Sequence, residues 1–79
     1  MKKLTAQYNK LEQMVSDLEQ IIDSLREKQD AIEDKAIDHD RDLTEKEQER
    51  YDEIDDQIGD IYDCQSIIYD AMSTIEKYL

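Results

Sequence analysis

The chain contains no proline, tryptophan or phenylalanine, and one glycine and one cysteine in 79 residues. Sheets need turns, and turns draw on glycine, proline and asparagine. With so little of that chemistry, an all-α fold is expected. The single Cys64 excludes an internal disulfide and points to a reducing, cytoplasmic setting. It lies on an apolar side of its helix and reads as a small buried hydrophobe. No apolar run approaches the ~18 residues needed to cross a membrane. The basic start MKKLTAQYNK is not followed by an apolar stretch of signal-peptide length. The length allows one small domain at most, and Met1 reads as a true start.

What is abundant is charge of one sign. Asp and Glu number 22 against 10 Lys and Arg, a net charge of −12. That balance opposes direct nucleic-acid binding. The apolar residues are too regularly spaced for a disordered acidic tail. Leu4, Tyr8, Leu11, Val15, Leu18, Ile22, Leu25, Gln29, Ile32 and Ala36 step by four and three, the spacing of a coiled-coil seam. Tyr51, Ile54, Ile58, Ile61, Gln65, Ile68, Met72, Ile75 and Leu79 form a second seam. Between them DHDRDL breaks the pattern, and Thr44 with Glu47 makes a capping box that starts a new helix. The expected fold is one long antiparallel helical hairpin: helix 1 over about 3–38, a turn at 39–43 and helix 2 over about 44–78. Gln29 and Gln65 either select the register at some cost in stability or tip outward to solvent. Gly59 falls outside the seam and needs no functional reading.

Two lone helices bury little. The apolar stripe widens away from the turn, where Met14 and Ile21 flank the first seam. Tyr62, Cys64, Ile67, Tyr69, Ala71 and Tyr78 flank the second. A stripe wider than the strict seam asks for a further neighbour. A homodimeric four-helix bundle is expected, with Met14, Ile21, Tyr62, Ile68, Tyr69, Met72 and Ile75 at its interface. A broader single interface that leaves the tyrosines half exposed is the alternative.

The charge is segregated. Residues 1–26 hold four acids and four bases, and residues 61–79 have a net of −2. Residues 27–60 hold fifteen acids against five bases, a net of −10. That segment forms the turn end, about 25 Å of each arm at 1.5 Å per residue. Duplex DNA carries roughly 15 charges over such a length. Glu33, Asp34, Asp38, Asp40, Asp42, Glu49, Asp52, Glu53, Asp55 and Asp56 are therefore candidate partner-binding residues of a nucleic-acid mimic. A solubilising acidic end has the same composition. Repulsion within the group is expected to raise its pKa values, so that stability grows as pH falls from 7 to about 5.

Other chemistry finds little support. Asp38, Asp40, Asp42 and Glu49 have the spacing of an EF-hand loop, but the position that needs glycine is Leu43. His39 is a lone turn histidine with no structural demand on it. No nucleophile, base and oxyanion site can be assembled, and no phosphate-binding motif occurs. No enzyme, cofactor or metal site is expected.

The stretch RDLTEKEQERYDEIDDQI, Arg41 to Ile58, resembles the N-terminal delta, or scaffolding, domain of HK97-type phage major capsid proteins. Arg41, Leu43, Thr44, Glu47, Gln48, Tyr51, Asp52 and Ile54 carry the resemblance. It implies a helical assembly module in a phage or prophage setting. A free-standing small phage-type protein, with no capsid domain after Leu79, is expected. Small acidic phage proteins often inhibit host enzymes or defence systems. The expected function is non-enzymatic: an acidic inhibitor of a basic nucleic-acid-binding or defence protein, such as an anti-CRISPR or anti-restriction protein in the host cytoplasm. A capsid scaffolding adaptor and a plain coiled-coil docking module are the alternatives.

Overall fold

The computed structural model describes residues 2–79. Two helices account for most of the chain, α1 (Lys2–Asp38) and α2 (Glu45–Glu76). They run antiparallel and pack along their length. The rod measures 58 × 16 × 13 Å, with a radius of gyration of 17.9 Å. A compact chain of this length would have a radius near 12 Å. The molecule is therefore a single pair of helices with no third layer.

The seams can be written as heptads. In α1, Tyr8, Val15, Ile22, Gln29 and Ala36 take position a, and Leu4, Leu11, Leu18, Leu25 and Ile32 take position d. In α2, Tyr51, Ile58, Gln65 and Met72 take a, and Ile54, Ile61, Ile68 and Ile75 take d. Burial divides almost by row. The a row is buried from Val15 to Ala36 and from Ile58 to Met72. The d row is half-buried except Ile54, which is 1% exposed. Ile22, Ile54 and Ile58 form the centre of the core, with Leu25, Ile32 and Ile61 packed against it.

Both seam glutamines are buried, and both reach across rather than outward. Gln29 Nε2 donates to the Tyr51 carbonyl at 3.2 Å and to Asp55 Oδ1 at 3.4 Å. Gln65 Nε2 donates to the Val15 carbonyl at 3.2 Å and to Glu19 Oε2 at 3.3 Å. Each amide thus bridges a backbone carbonyl and the acid four residues later on the facing helix. Both bridges report one register, in which facing residue numbers sum to about 82. The arrangement is an internal approximate two-fold. Leu18, Glu19, Ile22, Leu25, Gln29 and Ile32 of α1 correspond to Ile54, Asp55, Ile58, Ile61, Gln65 and Ile68 of α2.

The turn is built from two locks. At the end of α1, the Arg41 N–H donates to the Ala36 carbonyl and the Asp40 N–H to the Ile37 carbonyl. These bonds, with Asp40 at φ 49°, make a Schellman motif. Glycine is the usual residue there, but Asp tolerates the left-handed region better than most side chains. At the start of α2, the Glu47 N–H donates to Thr44 Oγ1 at 3.1 Å. The Thr44 N–H returns a bond to Glu47 Oε1 at 3.0 Å, completing the capping box. The far end of α2 departs from expectation. The helix ends at Glu76, within two residues of the expected bound, and Leu79 is exposed instead of seated in the seam. No basic residue lies in the last turn, and Glu76 meets the negative end of the helix dipole. A Cβ at Gly59 would meet nothing within 4 Å, so packing does not require that glycine.

Candidate functional site: the acidic turn end

All ten carboxylates singled out at the turn end are exposed. They are not equivalent. Asp55 is tied to Gln29, and Asp52 accepts from Gln48 Nε2 at 2.9 Å. Glu33 faces Tyr51 across the seam and raises its phenol pKa. Asp40 occupies the left-handed turn position. Asp34, Asp38, Asp42, Glu49, Glu53 and Asp56 make no side-chain bond within the chain and project from the outer surfaces of the rod. Among the described residues, Arg41 and Glu47 form the one ion pair. The rest of the turn-end charge is therefore left to solvent or to a partner.

Glu47 was not among the candidates, yet it is the most constrained acid of the turn. Arg41 Nη1 donates to its Oε1 at 2.6 Å and Nη2 to its Oε2 at 3.3 Å. Arg41 Nη1 also bonds the Asp42 carbonyl at 2.9 Å. The guanidinium thus joins the end of α1 to the first turn of α2. Hydrogen bonding from Arg41, then from the Thr44 backbone, holds the Glu47 carboxyl down at about 2. This shift is opposite to the one expected from repulsion. An S/T-x-x-E box preceded by an Arg three residues before its Thr is the signal that could have revealed it.

The pH consequence follows from the sign. A carboxyl with a depressed folded pKa stabilises the fold above its unfolded value, here 4.5. That contribution is lost as pH falls from about 4.5 toward 2. The opposite limb involves phenols. Hydrogen bonding to Glu76 raises Tyr8, and hydrogen bonding to Glu33 raises Tyr51. Their contribution is present below pH 10 and is lost as pH rises through the raised values. Glu47→Gln keeps the capping box, since Gln serves at that position. In melts followed by circular dichroism, the variant is expected to lose less stability than the wild type between pH 4.5 and 2.5. Equal acid sensitivity would remove Glu47 as the cause.

The rest of the rod separates residues that the stripe had grouped together. Met72 is buried in the hairpin seam, and Ile68 and Ile75 are half-buried there. These three already serve the fold. Met14 and Ile21 are exposed at position g, next to row d. Tyr62 and Tyr69 are exposed at position e, next to row a, on the opposite face. The Arg26 guanidinium donates to the Tyr62 hydroxyl and lies 5.6 Å from its ring centroid. Tyr8 Oη donates to Glu76 Oε1 at 2.6 Å on that same face. The seven residues therefore do not form one continuous patch. Cys64 is exposed rather than buried.

Asp38, Asp40, Asp42 and Glu49 do not converge. Among the described residues, no group of three or more His, Cys, Asp or Glu is placed to hold a metal ion. None of the described helices is long and apolar enough to cross a membrane. Comparison with known proteins gives no match to a family model, a curated protein or a solved structure.

Proposed function

We propose that this chain is a non-enzymatic binding protein of phage type. Its turn end occupies the basic groove of a nucleic-acid-binding protein in place of nucleic acid. A host defence nuclease, of the restriction or CRISPR kind, is the partner class that this chemistry fits. The observation that carries the reading is the unspent charge. Residues 27–60 place fifteen acids on a narrow rod, and one of them is neutralised by an ion pair. Charge at duplex-like linear density, fixed on a stiff scaffold, competes for a basic groove without paying to order a flexible tail.

The assembly-adaptor reading draws on the phage-capsid resemblance. Arg41, Thr44 and Glu47, which carry much of it, are bonded to one another in the turn. Their pattern accounts for how a helical turn is locked and names no partner. The acidic surface therefore supports the proposal better.

The test uses carboxylates that the fold does not need. Changing Asp34, Asp38, Asp42, Glu49, Glu53 and Asp56 to Lys should leave helicity intact. Binding to the partner nuclease should weaken by more than about 100-fold, given the size of interfacial charge couplings. Wild-type binding should fall steeply with salt, because exposed charges are screened beyond roughly 10 Å at 0.1 M. Binding that ignores both changes rules out the acidic end as the contact.

A further inference from the structure

The two broad faces of the rod differ in kind. On one, rows a and e are closed over by polar contacts: Arg26 on Tyr62, Tyr8 on Glu76, and the two glutamine bridges. On the other, row d lies half open and row g borders it. Row g reads Gln7, Met14, Ile21, Lys28 and Lys35 in α1, and Arg50, Gln57, Cys64, Ala71 and Tyr78 in α2. Not one acid occurs in that row, although the chain holds 22. A solvated face of so acidic a protein has no reason to exclude carboxylates. A face that becomes buried does, while Lys28, Lys35 and Arg50 can lay their stems on it and carry their charge to the rim.

We infer that the d/g face is covered by a second copy of this chain, packed antiparallel, so that the two acidic ends point in opposite directions. Area supports the second copy. The chain exposes 6093 Å². A compact protein of its mass exposes about 5,000 Å². The excess of roughly 1,000 Å² is what one partner contributes to a standard interface, about 800 Å². Charge fixes the orientation. A parallel pair would set two segments of net −10 side by side and oppose Lys28, Lys35 and Arg50 to their own copies. An antiparallel pair sets each acidic end beside the opposite end of its partner, residues 1–26 and 61–79, whose net charge is −2. Met14 and Ile21 are then interface residues, whereas Tyr62 and Tyr69 remain outside it. The assembly would be bivalent, with one acidic end at each pole.

Sedimentation equilibrium of the full chain tests this. The expected mass is twice 9.4 kDa. Met14→Glu with Ile21→Glu should give a monomer that keeps its helicity, since both positions lie outside the hairpin core. Ala71→Glu, a single exposed change on α2, should do the same and serves if the double variant fails to fold. Tyr69→Glu, on the far face, should remain dimeric. Spin labels on Lys3→Cys in a Cys64→Ser background should lie about 50 Å apart across an antiparallel pair, from 1.5 Å per residue. A wild-type monomer, dimers that survive all the d/g changes, or a label separation of ~20 Å expected of side-by-side helices would overturn the inference. The turn-end reversals should leave the mass unchanged, so failure here is separable from failure of the nucleic-acid-mimic proposal.

Discussion

Ile54→Asp is expected to abolish the fold rather than weaken it. Ile54 is 1% exposed and packs with Ile22 and Ile58 at the centre of the core. The substitution removes most of that apolar contact and leaves a carboxylate with no partner among aliphatic side chains. Cavity formation costs about 2–5 kcal/mol for such a truncation. An unpaired buried charge adds several more, or forces the carboxyl to stay protonated. A domain of this size has a total stability of about 4–12 kcal/mol. Six buried apolar residues form its core, which places it low in that range. Circular dichroism at neutral pH should show loss of helicity at 25 °C. Retained helicity with a Tm lowered by only a few degrees would mean that the hairpin tolerates a breach of its central layer.

Replacing Gln29 and Gln65 together by Leu is expected to raise stability and to lose uniqueness. Each amide is buried, and each donates to a carbonyl that the helix already supplies with an N–H. Removing the amides therefore orphans no backbone group. Leucine of similar size adds apolar burial at both sites. The pair of changes should contribute about 1–3 kcal/mol, by analogy with polar-to-apolar swaps in cores. One kcal/mol corresponds to roughly 4–8 °C in Tm for a domain of this size. The cost should appear in specificity. The bridges to Tyr51 with Asp55 and to Val15 with Glu19 fix one register, and a uniform Leu and Ile seam accepts neighbouring ones. Amide resonances should multiply or broaden, or the sedimenting species should become heterogeneous. A lower Tm with a single sharp set of resonances would show that the glutamines act as stabilising clamps instead.

Much of this architecture can be read from the chain. The two seams were legible because a period of three and four survives any context, and the structure buries or half-buries those positions from Leu4 to Ile75. The capping box at Thr44 and Glu47 was legible because its residues are local. Three features were not. Asp40 in the left-handed region gives no signal, because the motif usually announces itself with glycine. The fate of Gln29 and Gln65 depended on which residues face them, which only the register decides. The apolar stripe misled for a related reason. Rows e and g both flank a seam in sequence, yet they emerge on opposite faces of a hairpin, so Tyr62 and Tyr69 part from Met14 and Ile21. At the turn end, composition located the acids but could not separate Glu33, Asp52 and Asp55, which the fold engages, from the six that it leaves free.

That unengaged charge is the centre of the functional account, and displacement measures it directly. Labelled duplex DNA bound to a defence nuclease is titrated with this protein, and the DNA is followed by fluorescence anisotropy. Release of the DNA in proportion to protein added, suppressed by salt and absent with the six Lys substitutions, is the predicted result. A nuclease that binds this protein while its DNA stays in place would contradict the account and leave the acidic end a solubilising surface.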